Sequence, residues 1–134
     1  MTPSLKTLAK QNESSHFEME IKERLPSFIQ APAHLNCTIR VEKTAHYYHL
    51  MLGVKGLIHV ICQRCLHEFD YPFNQNNDIA LCADEDTAEK MMTKMDSIVH
   101  LKDELDIVSI VTDELHLYCP EKHLDLNECE AHLL

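Results

Sequence analysis

The stretch VKGLIHVICQRCLHEFDYPF, residues 54–73, contains two β-rich runs and a pair of cysteines between them. The β-rich run over 54–61 predicts one strand, and aromatic residues at every second position over 69–73 predict another. Cys62 and Cys65 lie in the connection between these two runs. We therefore expect two neighbouring strands joined by a turn that carries both thiols.

Further strands are predicted on both sides of this unit. Apolar residues alternate with polar ones over 35–41, and a β-rich run over 47–52 is separated from 54–61 by a break at Gly53. The asparagine-rich stretch 74–77 is a turn signal before another strand at 79–82. A short strand near 98–101 is a further candidate.

One amphipathic helix is predicted near the C-terminus. Apolar residues between Ile107 and Tyr118 recur at three- and four-residue spacing, with Asp106 as the N-cap and Pro120 as the stop. Its apolar stripe should cover one face of the sheet, and Asp113 and Glu114 should lie near its polar edge.

The remaining segments give weaker patterns. Residues 1–12 are polar, and we expect them to be frayed and flexible. Apolar residues at helical spacing predict a short helix over 17–25 that ends before Pro26, and residues 84–97 fit either a loop or a short surface helix.

The predicted fold is one α+β domain over residues 1–134. It has an antiparallel sheet of about five strands, forming a sandwich or a partly closed barrel, with one packed C-terminal helix and a short N-terminal helix.

Charge is unevenly distributed along the chain. Residues 1–65 hold eight Lys and Arg against five Asp and Glu, whereas residues 66–134 hold four against seventeen, for a net charge of −10. A uniformly acidic protein is a poor general binder of phosphate backbones. A polarised one can place a basic face on RNA and an acidic face on a basic protein.

The N-terminal sequence and the apolar runs predict a cytoplasmic protein. The first 16 residues lack the apolar stretch of a secretory signal, and the most apolar run, 56–62, is too short to span a bilayer. The six cysteines should therefore stay reduced. Cys37 and Cys82 fall on the apolar positions of predicted strands, where a thiol acts as a small hydrophobe.

Cys62 and Cys65 allow three interpretations. A redox pair normally opens a helix, and here strands are predicted on both sides. A turn between strands is the usual place for a zinc knuckle, which needs two further ligands, and Cys119, His123 and Cys129 are the candidates. The third interpretation is a pair of reduced thiols that holds no metal.

Catalytic patterns are scarce in the sequence. Two glycines cannot form a glycine-rich phosphate loop, and no nucleophile elbow or HExxH motif occurs. Asp113 and Glu114 point about 100° apart on a helix, so they do not converge on one site. We therefore predict no catalysis, with a thiol- or metal-dependent enzyme that uses Cys62 and Cys65 as the alternative.

Three motifs together resemble the YceD family, described as large ribosomal RNA subunit accumulation proteins. They are GLIHVICQRC at 56–65 followed by an aromatic strand, DIVSIVTDEL at 106–115, and Cys119-Pro120 before a terminal His/Cys segment. The resemblance spans about 35–130. It implies importance for Gln63 and Arg64 besides the cysteines Cys62, Cys65 and Cys129, and for Asp113, Glu114 and Pro120. Cys119 stands where the family usually has an aliphatic residue.

The resemblance implies a bacterial, cytosolic, non-enzymatic factor that supports accumulation of 23S ribosomal RNA and assembly of the large subunit. It also suggests the basic ribosomal protein bL32 as a partner. With the charge distribution, it leads us to expect contacts to ribosomal RNA, a precursor particle or a protein partner from Arg40, Lys43, Lys55, Gln63, Arg64, Asp113 and Glu114. A protein-only adaptor is the remaining alternative.

Overall fold

The computed structural model describes residues 3–11 and 13–133, with side chains through Cys129. Within these residues the chain forms four helices and five strands. In order they are α1 (Leu5–Gln11), β1 (Ser15–Ile21), β2 (Ala33–Lys43), β3 (Tyr47–Ile61), β4 (Glu68–Cys82), α2 (Glu85–Met91), β5 (Asp96–Val99), α3 (Ile107–Tyr118) and α4 (Leu126–Leu133). Among the described helices, none is long and apolar enough to cross a membrane.

The strands form one sheet in the order β1-β2-β3-β4-β5. Strands β1 to β4 are antiparallel neighbours, whereas β5 pairs with β4 in parallel. The α+β class, the five strands and the packing of helices on the sheet are as predicted, but the sheet is mixed and not wholly antiparallel, and it does not close into a barrel. The reason is that α2 makes a crossover between β4 and β5, as a parallel pair requires.

β3 and β4 are longer than predicted. Their pairing runs without interruption from Tyr47↔Cys82 to Ile61↔Glu68, so the predicted break at Gly53 and the turn at 74–77 are both wrong. The backbone ladder continues through these positions because it does not depend on the side chains. Asn74 and Asn76 lie on the exposed face, where polar side chains are tolerated.

The N-terminal prediction also needs correction. Residues 15–21 form a strand, not part of a helix over 17–25, and alternate residues of its second half, Met19 and Ile21, are buried. Spacings of four residues fit both periods, so they did not separate helix from strand here. Helix α1 was not predicted. Its Leu5 and Leu8 are buried three residues apart, and the Leu5 amide donates to the Asp103 carbonyl at 2.7 Å.

The main core lies on one face of the sheet, beneath α1 and α3. It contains Val41, Leu50 and Val54 from the strands and Val111 and Leu115 from α3, all at most 1% exposed. The opposite face is largely open. Among the described residues, side chains cover this face only at its end near Ala80 and Cys82, where Ala88 of α2 and its neighbours pack.

Helix α3 forms as predicted. The Asp106 carboxylate caps it by accepting from the Ser109 amide at 3.1 Å, and the helix ends at Tyr118, two residues before Pro120. The placement of Glu114 at the polar edge is wrong, because this residue is 3% exposed. Asp113 is exposed, and its carboxylate lies 3.6 Å from the Arg24 guanidinium.

Candidate metal centre

The turn between β3 and β4, residues 62–67, places two thiols side by side; we call it the cysteine loop. The Leu66 amide donates to the Cys62 carbonyl at 2.8 Å, and the Cys62 amide donates to the His67 carbonyl at 3.0 Å. Leu66 has a φ of 65°, a left-handed conformation that turns the chain back into β4. Both Cys62 and Cys65 are buried.

The segment after α3, residues 119–129, packs against the cysteine loop; we call it the tail. The Gln63 amide donates to the Glu121 carbonyl at 2.9 Å, and the Arg64 guanidinium donates to the His123 carbonyl at 2.7 Å. Helix α4, which was not predicted, then places Cys129 in the same cluster. The loop therefore holds the tail through backbone and side-chain contacts.

Four ligand atoms meet where the tail crosses the loop. The Sγ atoms of Cys62, Cys65 and Cys129 and one ring nitrogen of His123 all lie within 4.8 Å of one another, and all four residues are buried. Cys62 Sγ is 3.6 Å from Cys129 Sγ, while His123 Nδ1 is 3.5 Å from Cys65 Sγ and 3.3 Å from Cys129 Sγ. Tetrahedral zinc with bonds of about 2.3 Å to sulfur and about 2.0 Å to nitrogen separates its ligands by roughly 3.5–3.8 Å. The cluster is compatible with a metal site.

Contacts outside the cluster hold the His123 ring. Phe69 of β4 stacks on it with a centroid distance of 4.4 Å. His123 Nε2 lies 4.0 Å from the Glu128 carboxylate, on the side opposite the thiols. A carboxylate next to the outer nitrogen of a ligating histidine fixes the ring orientation and raises its basicity.

The surroundings favour a thiolate at Cys62. Burial acts to raise the pKa of this thiol, but the backbone amides of Cys65, His123 and Arg64 donate to its sulfur and lower the pKa to about 5. Burial raises the pKa of Cys129, which places the proton of the pair on that thiol. Metal ligands must be deprotonated, so a site with one thiolate already favoured is suited to a cation.

The remaining cysteine candidate lies elsewhere. Cys119 packs in the main core, its thiol is directed at the Pro120 carbonyl at 3.8 Å, and burial raises its pKa to about 11. It does not join the cluster formed by Cys62, Cys65, His123 and Cys129. The sequence offered three tail candidates for two places, and spacing alone could not choose among them.

The predicted basic residues do not converge. Arg40 and Lys55 lie on the open face of the sheet, where the Arg40 guanidinium is 3.3 Å from the Glu42 carboxylate. Lys43 is an odd number of residues from Arg40, so it lies on the other face. Arg64 is in the cysteine loop, far from Lys43. Lys43 pairs with Tyr48 near the start of β3, and the loop begins after the other end of this strand, about 13 residues or roughly 40 Å away.

Lys43 instead joins two cations that the sequence analysis missed. Lys6 of α1 and Lys102 line one cavity of about 440 Å³ with Lys43, together with His46 and His100. We call Lys6, Lys43 and Lys102 the lysine cluster. These residues are distant in sequence, so only the packing of α1 on the sheet brings them together. One carboxylate, Asp103, also lines the cavity and accepts from the Lys6 amide at 3.1 Å.

Comparison with known proteins identifies a family. A family model described as "Large ribosomal RNA subunit accumulation protein YceD" matches residues 50–134, more than half of the chain. The match includes the cysteine loop, α3 and the tail, and it confirms the resemblance noted in the sequence. Neither the curated proteins nor the solved structures gave a match.

Proposed function

The chain belongs to the YceD family, and from this membership we propose that it supports accumulation of 23S ribosomal RNA and assembly of the large ribosomal subunit. The family match over residues 50–134 is the observation that carries the proposal. In this account the protein is a bacterial, cytoplasmic factor that acts by binding a precursor particle and does not catalyse a reaction.

We further propose that the four-residue cluster binds one zinc ion. Three thiolates and one imidazole are a ligand set typical of structural zinc. Four protein ligands fill a tetrahedral site and leave no position for water or substrate, which favours a structural role over the alternative of an enzyme using Cys62 and Cys65. Zinc would clamp the tail to the cysteine loop and so fix the end of α3.

The lysine cluster supports a contact with RNA. Lys6, Lys43 and Lys102 form a local concentration of positive charge on a protein whose net charge is −10. Ammonium groups at such a site can replace the counterions of phosphates, which gives binding that weakens with salt. His46 and His100 in the same cavity add donors or acceptors for a phosphate or base. We propose this cavity as the main RNA contact, ahead of Arg40, Lys55 and Arg64.

The acidic half supports a second contact, to a basic protein. Residues 66–134 hold seventeen Asp and Glu against four Lys and Arg. Opposite charges accelerate association and exclude wrong partners. The ribosomal protein bL32 is the proposed partner. An adaptor that binds only proteins remains the second candidate function, and the same acidic half favours it.

Sedimentation of the tagged protein from its native host tests the proposal. We expect it to migrate with large-subunit precursors at low salt and to leave them as the salt concentration rises. Nuclease treatment of the fractions separates the two candidates: loss of comigration supports the RNA contact, whereas a retained protein complex favours the adaptor. A protein that stays at the top of the gradient at both salt concentrations would contradict particle binding.

A further inference from the structure

A groove separates α3 from the edge strand β5. It has a volume of about 560 Å³, and its walls carry large apolar side chains that are unusually exposed. Met92 is 65% exposed, Leu117 67%, Ile98 43% and Tyr118 40%. Contiguous exposed apolar surface of this kind commonly marks a binding site.

A buried carboxylate lies at the base of this groove. Glu114 is 3% exposed; its Oε1 accepts from the Asn77 amide at 3.1 Å, while its buried Oε2 has no hydrogen-bond partner among the described residues. The same Asn77 amide nitrogen also donates to the Asp96 carboxylate at 2.8 Å. With Asp113 at the rim, three carboxylates therefore line the groove.

Asp113 lies 3.6 Å from the Arg24 guanidinium, but among the described residues Asp96 and Glu114 have no positive side chain in the groove to balance them. The described residues that line it include no Lys, Arg or His. Burying a carboxylate oxygen without a partner is costly, so the site favours a cation that enters from outside. A lysine or arginine fits the apolar walls as well, because its aliphatic stem packs on them while the head reaches the acid.

The free edge of β5 suits an extended chain. In the described part of the sheet β5 pairs only with β4, which leaves its other edge without a strand. Asp96 and Ile98 pair with Ile79 and Leu81, so they face the same side of the sheet as the core and the groove. A segment that adds to this edge would direct every second side chain into the groove.

We propose that this groove binds an extended segment of a basic protein, with a lysine or arginine inserted against Glu114 and apolar neighbours on Met92, Ile98 and Leu117. This inference rests on the protein contact in the proposed function and assigns it a site. The three carboxylates disfavour a nucleic acid as the occupant, because they repel phosphates.

Degenerate peptide pools test the proposal on the full-length, zinc-saturated protein. Four fluorescent pools share flanks drawn from Val, Leu, Ile and Thr, and differ in a central Lys, Arg, norleucine or Glu. Fluorescence anisotropy should show the Lys and Arg pools binding at least tenfold more tightly than norleucine, with the Glu pool weakest. Equal binding of the Lys, Arg and norleucine pools, or no binding by any pool, would overturn the inference.

Variants assign the binding to the groove. Glu114→Gln can still accept from Asn77, and we expect it to abolish the preference for Lys and Arg while the protein stays folded. The matched control is Glu18→Gln on the exposed side of β1, which removes the same charge and should leave the preference intact. An unchanged preference in Glu114→Gln would refute the site.

A second variant keeps the test decisive if Glu114→Gln misfolds. Leu117→Glu changes an exposed wall residue and should weaken binding of the norleucine pool without changing the core.

Competition with spermidine distinguishes a free amine from a protein segment as the occupant of the groove. Displacement of the bound peptides by spermidine at equal concentration would overturn the protein assignment. If the protein binds the peptides but does not sediment with precursors, the groove inference stands and the proposed RNA function fails.

Discussion

At the residue scale, adjacent carboxylates on α3 have different surroundings. Asp113 is exposed beside Arg24, whereas Glu114 is buried against Asn77. The helical spacing predicted α3 itself but not the difference in burial between Asp113 and Glu114. Glu114 is buried against Asn77, which lies in the middle of β4, where we expected a turn. A buried Glu114 could be inferred only by knowing that the strand continues beneath the helix.

Neutralising Glu114 should stabilise the protein in a pH-dependent way. Burial raises the pKa of Glu114, and the charges of Asp96 and Asp113 add to this effect. As pH rises above the ordinary pKa of glutamate, the Glu114 carboxyl loses its proton in the unfolded chain but keeps it in the folded protein. The free energy of unfolding therefore falls with pH until the raised pKa of the folded state is passed. We expect the free energy of unfolding of Glu114→Gln to exceed that of the wild type near neutral pH and to approach it near pH 4.

Urea denaturation of both proteins with saturating zinc measures this difference at the two pH values. Zinc and all other titrating groups are common to the two proteins, so the difference reports Glu114 and its carboxylate neighbours. A variant that is less stable than the wild type near neutral pH would show that the buried charge is already compensated.

Replacing one member of the Cys–His cluster should remove the metal. We expect Cys129→Ser to lose zinc and more than about 4 kcal/mol of unfolding free energy, because metal binding contributes directly to folding. Cys119→Ala, the control, changes a core thiol outside the cluster. It should cost about 1 kcal/mol and keep one zinc per chain.

Metal analysis and thermal melting with and without a chelator measure both effects. The chelator should lower the melting temperature of the wild type and of Cys119→Ala, and it should leave Cys129→Ser unchanged. Zinc retained by Cys129→Ser, or lost from Cys119→Ala, would contradict the assignment of the ligands.

At the element scale, the spacing of apolar residues predicted α3 correctly, but it predicted β3 and β4 only in part and missed β1. α3 was predicted because its apolar stripe, N-cap and terminal proline agree with one another. β3 and β4 were predicted in halves, because Gly53 and the asparagines of 74–77 are turn signals that the long ladder overrides. Alternation within residues 15–21 was missed since the same apolar residues also fit a helical stripe. Local sequence specifies preferences, and pairing with a neighbour decides between them.

Gly56 is required by close packing of β2 on β3. A Cβ at this position would lie 2.5 Å from the His34 carbonyl oxygen and 2.7 Å from a methyl carbon of Leu35. We expect Gly56→Ala to cost about 1–3 kcal/mol because backbone must move. Gly53→Ala is the matched control: its nearest neighbour is the Asn76 side-chain oxygen at 3.0 Å, which can rotate away.

Urea denaturation midpoints with zinc present compare the two glycine variants. The expected order of stability places Gly53→Ala close to the wild type and Gly56→Ala clearly below it. Equal losses in both variants would mean that strand conformation, not the approach of β2, determines the effect.

At the scale of the whole molecule, packing rearranges the charge pattern read along the chain. Residues of the basic half are divided between two faces of the sheet and the cysteine loop, and Lys102 from the acidic half completes the lysine cluster. Similarly, His123 and Cys129 reach Cys62 across more than 60 positions. The sequence supplied all four residues of the metal centre as candidates but only Lys43 of the lysine cluster, because the packing of α1 and the tail decides which residues meet.

The lysine cluster should control the salt dependence of particle binding. Lys6→Gln, Lys43→Gln and Lys102→Gln together should reduce the slope of log affinity against log salt by roughly 2–3, if each lysine contacts one phosphate. The control triple, Lys90→Gln, Lys94→Gln and Lys122→Gln, makes the same charge change elsewhere. Filter binding to purified precursor particles over a salt series provides the slopes, and equal slopes for both triples would refute the RNA contact.

The proposed role in accumulation of 23S ribosomal RNA is tested by the ratio of 23S to 16S ribosomal RNA in the native host. The gene is deleted and replaced by the wild type, Cys129→Ser or Cys119→Ala at equal protein levels, and the two RNAs are quantified. We expect a lowered ratio in the deletion strain, restored by the wild type and Cys119→Ala but not by Cys129→Ser. An unchanged ratio in the deletion strain would contradict it.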